Sequence, residues 1–141
     1  MIEFFDTTVL IAAMVEDEER HEACARVLDK AEDGYASVHS LAECYATLTG
    51  GRLGIQLPPG DAASLVRTNV QDRLSLVSLK TTEYLQLLDS AGPAGARGGA
   101  IYDFLLLACA RKAKAARIYM LNHRHFIALA PDLAQAIVSP S

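Results

Sequence analysis

The chain has 141 residues, 51% of them hydrophobic and 21% charged, enough for one core and too few for a second domain. Thirteen Lys and Arg against seventeen Asp and Glu leave a formal charge of −4, which excludes bulk electrostatic capture of nucleic acid and leaves any polyanion to a local patch. Half-apolar composition with small net charge also excludes a disordered chain, and a single domain over residues 1–141 is expected.

Ile2 to Phe5 is a short apolar run broken by Asp6. Val9 to Ala13 then resumes apolar, which predicts a buried strand leading straight into a helix. Glu16 to Lys30 scatters Ala23, Val27 and Leu28 among charges and reads as an exposed amphipathic helix closed by Gly34. Tyr35 to Val38 is a second strand candidate. Ser40 opens a helical stretch, Leu41 to Leu48, stopped by Gly50-Gly51. Leu53 to Gly60 is a loop, and Asp61 is expected to cap a helix running to about Asp72. Leu74 to Leu79 suits a third strand, Thr81 to Ser90 a helix, and Ala91 to Gly99 a loop. Ala100 to Ala116 predicts a long helix, Ile118 to Leu121 a fourth strand, and Ala136 to Val138 a weaker fifth. Strands separated by helices imply parallel pairing through crossovers. The expected fold class is α/β: a three-layer sandwich with a central parallel sheet of four or five strands flanked by helices.

Cys24, Cys44 and Cys109 are odd in number, widely spaced and outside any CxxC pair, which argues against a disulfide framework or a thiolate zinc site. They read as small core residues in a reducing compartment. No basic segment precedes an apolar stretch near Met1, and no apolar run reaches the ~18 residues that span a bilayer, so the expected location is the cytoplasm, away from membrane.

In an open parallel sheet the reactive crevice lies beyond the carboxyl ends of the strands, where Asp6 stands. Asp6, Thr7 or Thr8 could equally cap the following helix. Glu43 also has a structural reading, because Ser40-Leu41-Ala42-Glu43 fits a capping box. Asp103 lies in a helix apolar nearly all round. A carboxylate there has to be compensated, by Arg97, by Arg111 or by a metal ion. Each acid alone is ambiguous. The three, however, fall on elements that the topology brings to one end of the sheet. Clustered carboxylates repel unless a cation neutralises them, and hard oxygen donors favour Mg²⁺ or Mn²⁺. Such a site suits phosphodiester hydrolysis.

Four stretches in this order make the chain resemble a PIN-domain ribonuclease, and within that family the VapC toxins of type II toxin-antitoxin systems. They are Phe5-Asp6-Thr7-Thr8-Val9-Leu10, Ser40-Leu41-Ala42-Glu43, Gly98-Gly99-Ala100-Ile101-Tyr102-Asp103, and Asn122-His123-Arg124-His125-Phe126. The resemblance covers essentially the whole chain. It implies that Asp6, Glu43 and Asp103 are the catalytic acids that hold Mg²⁺ or Mn²⁺ for cleavage of RNA, with Thr7 or Thr8 ordering the site. The chain departs from the pattern at the fourth acidic position, where many relatives carry Asp and this chain carries Asn122, a neutral oxygen donor without charge. The resemblance further implies a homodimer and a cognate antitoxin protein that blocks the site.

Basic residues Arg97, Arg111, Lys112, Lys114, Arg117 and Arg124 gather in the last third, while acids dominate residues 16 to 33. Arg111 to Arg117 reads as the solvated end of a helix, favourable to its dipole. Arg97 and Arg124 are the candidates for phosphate contacts of an RNA substrate. His123 and His125, two apart, do not share a helix face and are assigned surface or substrate-contact roles. Two other classes compete with the nuclease reading: a non-catalytic RNA-binding or partner-binding module of the same fold, and a doubly wound nucleotide-binding domain. The second lacks any GxGxxG or Walker A pattern after a strand.

Overall fold

The structure, a computed structural model, describes residues 1–141. Five parallel strands form one sheet in the order β3-β2-β1-β4-β5, with β1 Ile2–Phe5, β2 Asp33–Ser37, β3 Ser75–Val77, β4 Arg117–Tyr119 and β5 Ile137–Val138. Helices α1 (Thr7–Met14) and α2 (His21–Lys30) join β1 to β2. Helices α3 (His39–Gly50) and α4 (Pro59–Val66) follow, and α4 continues through a π-helical turn, Arg67–Gln71, into β3. Helices α5 (Thr81–Ala94) and α6 (Ala100–Lys112) lead to β4, and α7 (His123–Leu129) leads to β5.

The period-two alternation of the strands divides the apolar residues between two cores. Phe4, Val77, Ile118 and Ile137 point to one face, where they pack with Leu87, Leu106, Leu107 and Phe126 from α5, α6 and α7. Phe5, Ala36 and Tyr119 point to the other, against Leu10, Cys24, Leu48 and Val66 from α1 to α4. The result is the three-layer α/β sandwich that the strand and helix alternation implies. All three cysteines are buried and free, and no helix is long and apolar enough to cross a membrane.

Several boundaries differ from the sequence expectation for identifiable reasons. Gly34 does not terminate α2; it lies inside β2, where an added Cβ would stand 2.5 Å from Leu74 Cδ2 and 3.3 Å from the Phe5 ring. The position is glycine because two core side chains close over the strand there. The segment 16–20 is turn, so α2 begins only at His21. Asp61 is not the cap of α4, which starts two residues earlier at Pro59, a residue suited to the first helical position; Asp61 sits in the first turn. The loop expected over 91–99 begins late: α5 continues through Pro93 because Ala91 is a core residue, and it ends at Gly95, whose φ of 85° is left-handed. Helix α6 stops at Lys112, with Lys114 left-handed at φ 57°.

From β1 the chain builds outward through β2 and β3, then returns to lay β4 and β5 on the opposite side. The strand order therefore reverses between β1 and β4, and the Asp6 amide donates to Tyr119 O at 3.0 Å across that junction. The crevice at such a switch point opens beyond the carboxyl ends of the strands. Helices α1, α3 and α6 begin at that end, since α1 and α3 leave strands there and α6 must run back to feed β4.

Candidate active site

Asp6, Thr7, Thr8, Glu43 and Asp103 line one cavity of about 220 Å³ at this end of the sheet, together with Ile11, Ala46, Thr47, Arg52 and Leu106. Residues 6 and 43 are 37 positions apart and 103 lies 60 further on, so only the crossover topology brings them together.

Asp6 is the N-cap of α1 and is only 2% exposed. Its Oδ2 accepts from the Thr8 amide at 3.2 Å and from the Thr8 hydroxyl. Capping and membership of the site are therefore one arrangement. Both bonds land on Oδ2, which leaves Oδ1 for a further ligand. Burial pushes the Asp6 carboxyl up from 3.8 to about 6. The two Thr8 hydrogen bonds pull it back, and the neighbouring charges of Asp103 and Glu43 push it up again.

Glu43 does not form the capping box that its spacing suggests. Helix α3 begins two residues earlier than that box requires, at His39, whose amide is capped by Ser37 Oγ at 3.1 Å. Ser40 is thus inside the first turn and fully buried. Its hydroxyl lies 2.7 Å from Thr7 Oγ1, which in turn donates to Glu43 Oε1 at 2.8 Å. Thr7 has one proton and spends it on the carboxylate, so Ser40 must be the donor to Thr7. This Ser40–Thr7–Glu43 relay ties α1 to α3 and fixes the orientation of the carboxylate.

Asp103 is less buried than an all-round apolar helix suggests. Its side chain is 35% exposed, and the buried residues of α6 begin only at Leu105. Neither Arg97 nor Arg111 compensates it. Arg111 makes a two-pronged ion pair with Asp132, while Asp103 Oδ2 accepts from His125 Nε2 at 2.8 Å. Because a carboxylate only accepts, the proton of that bond resides on the histidine ring.

Of the remaining predicted residues, Asn122, Arg97 and Arg124 do not line the cavity. Asn122 is exposed just before α7 and makes no capping bond, Arg97 is exposed in the turn between α5 and α6, and Arg124 is exposed in the first turn of α7. The turn that aims His125 at Asp103 rotates Arg124 about 100° away. His125, which the sequence assigns a surface or substrate-contact role, instead binds Asp103. One residue that the sequence reading did not single out lines the cavity: Arg52, exposed directly after Gly51, the cap of α3, whose φ is 76°. A cation placed two residues past a helix that carries a candidate acid was the available signal for Arg52. Arg117, read from sequence as part of a helix end, lies in β4 and reaches Glu3 at 3.9 Å, and Lys112 is bound to Glu83 at 2.7 Å.

No group of three or more His, Cys, Asp or Glu side chains is placed so that it could hold a metal ion as the side chains stand; each carboxylate turns to a donor of its own chain. The chemistry of the donors is nonetheless that of a hard divalent cation's site. Three carboxylates share a cavity, one of them is almost wholly buried with an oxygen free, and their mutual repulsion is what a cation would relieve.

Residues 4–130 match the PIN domain family. The chain belongs to the PIN domain family. Solved structures with the same fold include Mycobacterium tuberculosis VapC20, described as a Sarcin-Ricin loop cleaving toxin, with a TM-score of 0.71 at 18% identity over 87% of this chain and 92% of that one. VapBC2 from Rickettsia felis, bound to a DNA fragment from its promoter, superposes with a TM-score of 0.68 at 16% identity over the full length of both chains. FitAcB from Neisseria gonorrhoeae gives 0.61 at 18% identity over 100% of this chain and 97% of that one. At these identities the likeness is one of fold. No curated protein matches the sequence. In this PIN domain the cavity occupies the sheet's switch point and is acidic, apart from Arg52 at its rim.

Proposed function

We propose that this PIN domain is a metal-dependent endoribonuclease that hydrolyses RNA phosphodiester bonds as the toxin of a toxin-antitoxin pair in the cytoplasm. The observation that carries the reading is the meeting of Asp6, Glu43 and Asp103, from three separate elements, in one cavity at the switch point. Asp6 Oδ1, Glu43 and Asp103 are the groups that would hold Mg²⁺ or Mn²⁺. When bound, such an ion supplies charge neutralisation at the phosphoryl oxygens and eases deprotonation of a water.

The chain's own residues divide the remaining work. Thr8 holds Asp6 through Oδ2 and so aims Oδ1 at the cavity. Thr7, backed by Ser40, holds Glu43 through Oε1, which leaves Oε2 to orient the attacking water and take its proton. His125 fixes Asp103. Arg52 replaces Arg97 and Arg124 as the residue placed to meet a substrate phosphate, because it lines the cavity and they do not.

As a toxin the protein would be held inactive by a cognate antitoxin covering this acidic mouth, and would work as a homodimer. What supports an antitoxin is the fold shared with VapBC2 and FitAcB. The test is cleavage of RNA by the purified protein with Mg²⁺ or Mn²⁺. Asp6→Asn and Asp103→Asn are each expected to abolish cleavage and growth inhibition, and undiminished cleavage in both would end the reading. A second reading, a non-catalytic module that binds RNA or a protein partner, is favoured by the neutral Asn122 and by the engagement of every carboxylate with its own chain. RNA affinity without Mn²⁺ binding in calorimetry would decide for it.

A further inference from the structure

His39 and Tyr102 lie in the first turns of α3 and α6, the two helices that carry Glu43 and Asp103. Their rings are parallel within 1°, with centroids 5.3 Å apart. His39 Nε2 is 3.7 Å from Glu43 Oε1 and Tyr102 directly precedes Asp103, so the stacked pair adjoins two of the acids beside the cavity, although neither ring lines it. Tyr102 is 51% exposed although it is a large aromatic residue in a helix that sends five residues into the core. Beyond the His39 stack, packing in the core does not account for this placement, since α6 directs Leu105, Leu106, Leu107, Cys109 and Ala110 into the core and leaves Tyr102 half exposed.

We propose that the His39–Tyr102 stack is a nucleobase platform: it takes one base of single-stranded RNA beside the phosphate that enters the cavity. The proposal rests on the ribonuclease reading of that cavity. The physical need is specific to this chain. Its net charge is −4 and the cavity gathers three carboxylates, so phosphate attraction is weak and falls largely to Arg52. Stacking on an aromatic face is indifferent to that charge and tolerant of base identity. His39 braces Tyr102 from one side, so the ring is already oriented and stacking a base on it costs the tyrosine side chain little further freedom.

The test uses the full chain carrying Asp6→Asn, which spares the RNA on the nuclease reading and touches neither ring. A single-stranded RNA octamer with one 2-aminopurine is titrated in Mg²⁺, and both affinity and fluorescence quenching are read. With Tyr102 or Tyr102→Phe the probe is expected to bind and its emission to be quenched. Tyr102→Ala is expected to raise Kd about 5- to 150-fold and to remove the quenching. Equal affinity and quenching for Tyr102→Ala would overturn the platform and leave the nuclease reading intact. Absence of binding to the Asp6→Asn, Tyr102 chain would also overturn it. A loss of dimer mass in light scattering on Tyr102→Ala, with RNA affinity unchanged, would assign the surface to a second copy instead. Cleavage of the octamer by the Asp6→Asn chain would count against the nuclease reading alone, since initial quenching still reports the platform.

Discussion

Replacing Asp6 by Asn should make the metal-free protein more stable at neutral pH. Asp6 is nearly inaccessible and titrates near 6 instead of 3.8, so the folded state holds the proton more tightly than the unfolded chain does. Between those two values the folded state binds more protons, and stability therefore falls as pH rises; the penalty is absent below about 3.8 and complete above about 6. Its full size is about 3 kcal/mol. Asn keeps an oxygen for the Thr8 amide and hydroxyl and is as good an N-cap as Asp, but its amide N–H groups need acceptors, which returns about 1–2 kcal/mol. The net gain at pH 7.5 is about 1–2 kcal/mol, or roughly 3–7 °C in Tm for a chain of this length. The assay is thermal or urea unfolding of both proteins in EDTA at pH 7.5 and at pH 5, where roughly half the penalty remains. Adding Mg²⁺ or Mn²⁺ should raise the Tm of the parent and leave the variant nearly unmoved. A variant less stable than the parent in EDTA at pH 7.5, or a gain equal at both pH values, would show that Asp6 acts as a helix cap and carries no burden of buried charge.

Three further outcomes follow from the same contacts. Thr7→Val removes the bridge between Ser40 and Glu43 and leaves a buried hydroxyl without its acceptor. It should cost about 1–3 kcal/mol in urea unfolding, while Thr7→Ser recovers most of the loss. Gly34→Ala forces a methyl to within 2.5 Å of Leu74 Cδ2 and should destabilise by about 1–3 kcal/mol in the same assay, with Leu74→Ala in the Gly34→Ala background restoring part of it. His125→Ala frees Asp103 and should weaken Mn²⁺ binding, read by calorimetry, by about 10- to 100-fold with little change in Tm.

The layered fold was legible because the strands announce themselves as short apolar runs, Ile2–Phe5 above all, each followed by a helix. The candidate acids were legible for a related reason: helices that start at the carboxyl end of a parallel sheet start at the crevice, so the N-cap and first two turns of α1, α3 and α6 are the positions to inspect. Contacts between side chains distant in sequence were not legible. Glu43 answers to Thr7 and not to Ser40's backbone, Asp103 to His125 and not to an arginine, and Arg52 rather than Arg97 or Arg124 reaches the cavity, because those choices depend on helix phase after packing. Gly34 misled for the opposite reason: glycine punctuates helices often, but here it yields space to Leu74 and Phe5.

Calorimetric titration of Mn²⁺ into the RNA-free protein tests most directly whether the three carboxylates share a cation. Asp6→Asn, Glu43→Gln and Asp103→Asn should each weaken the same binding event by at least about tenfold. Mn²⁺ affinity left intact in Glu43→Gln and Asp103→Asn would mean that the acids are neighbours without being partners.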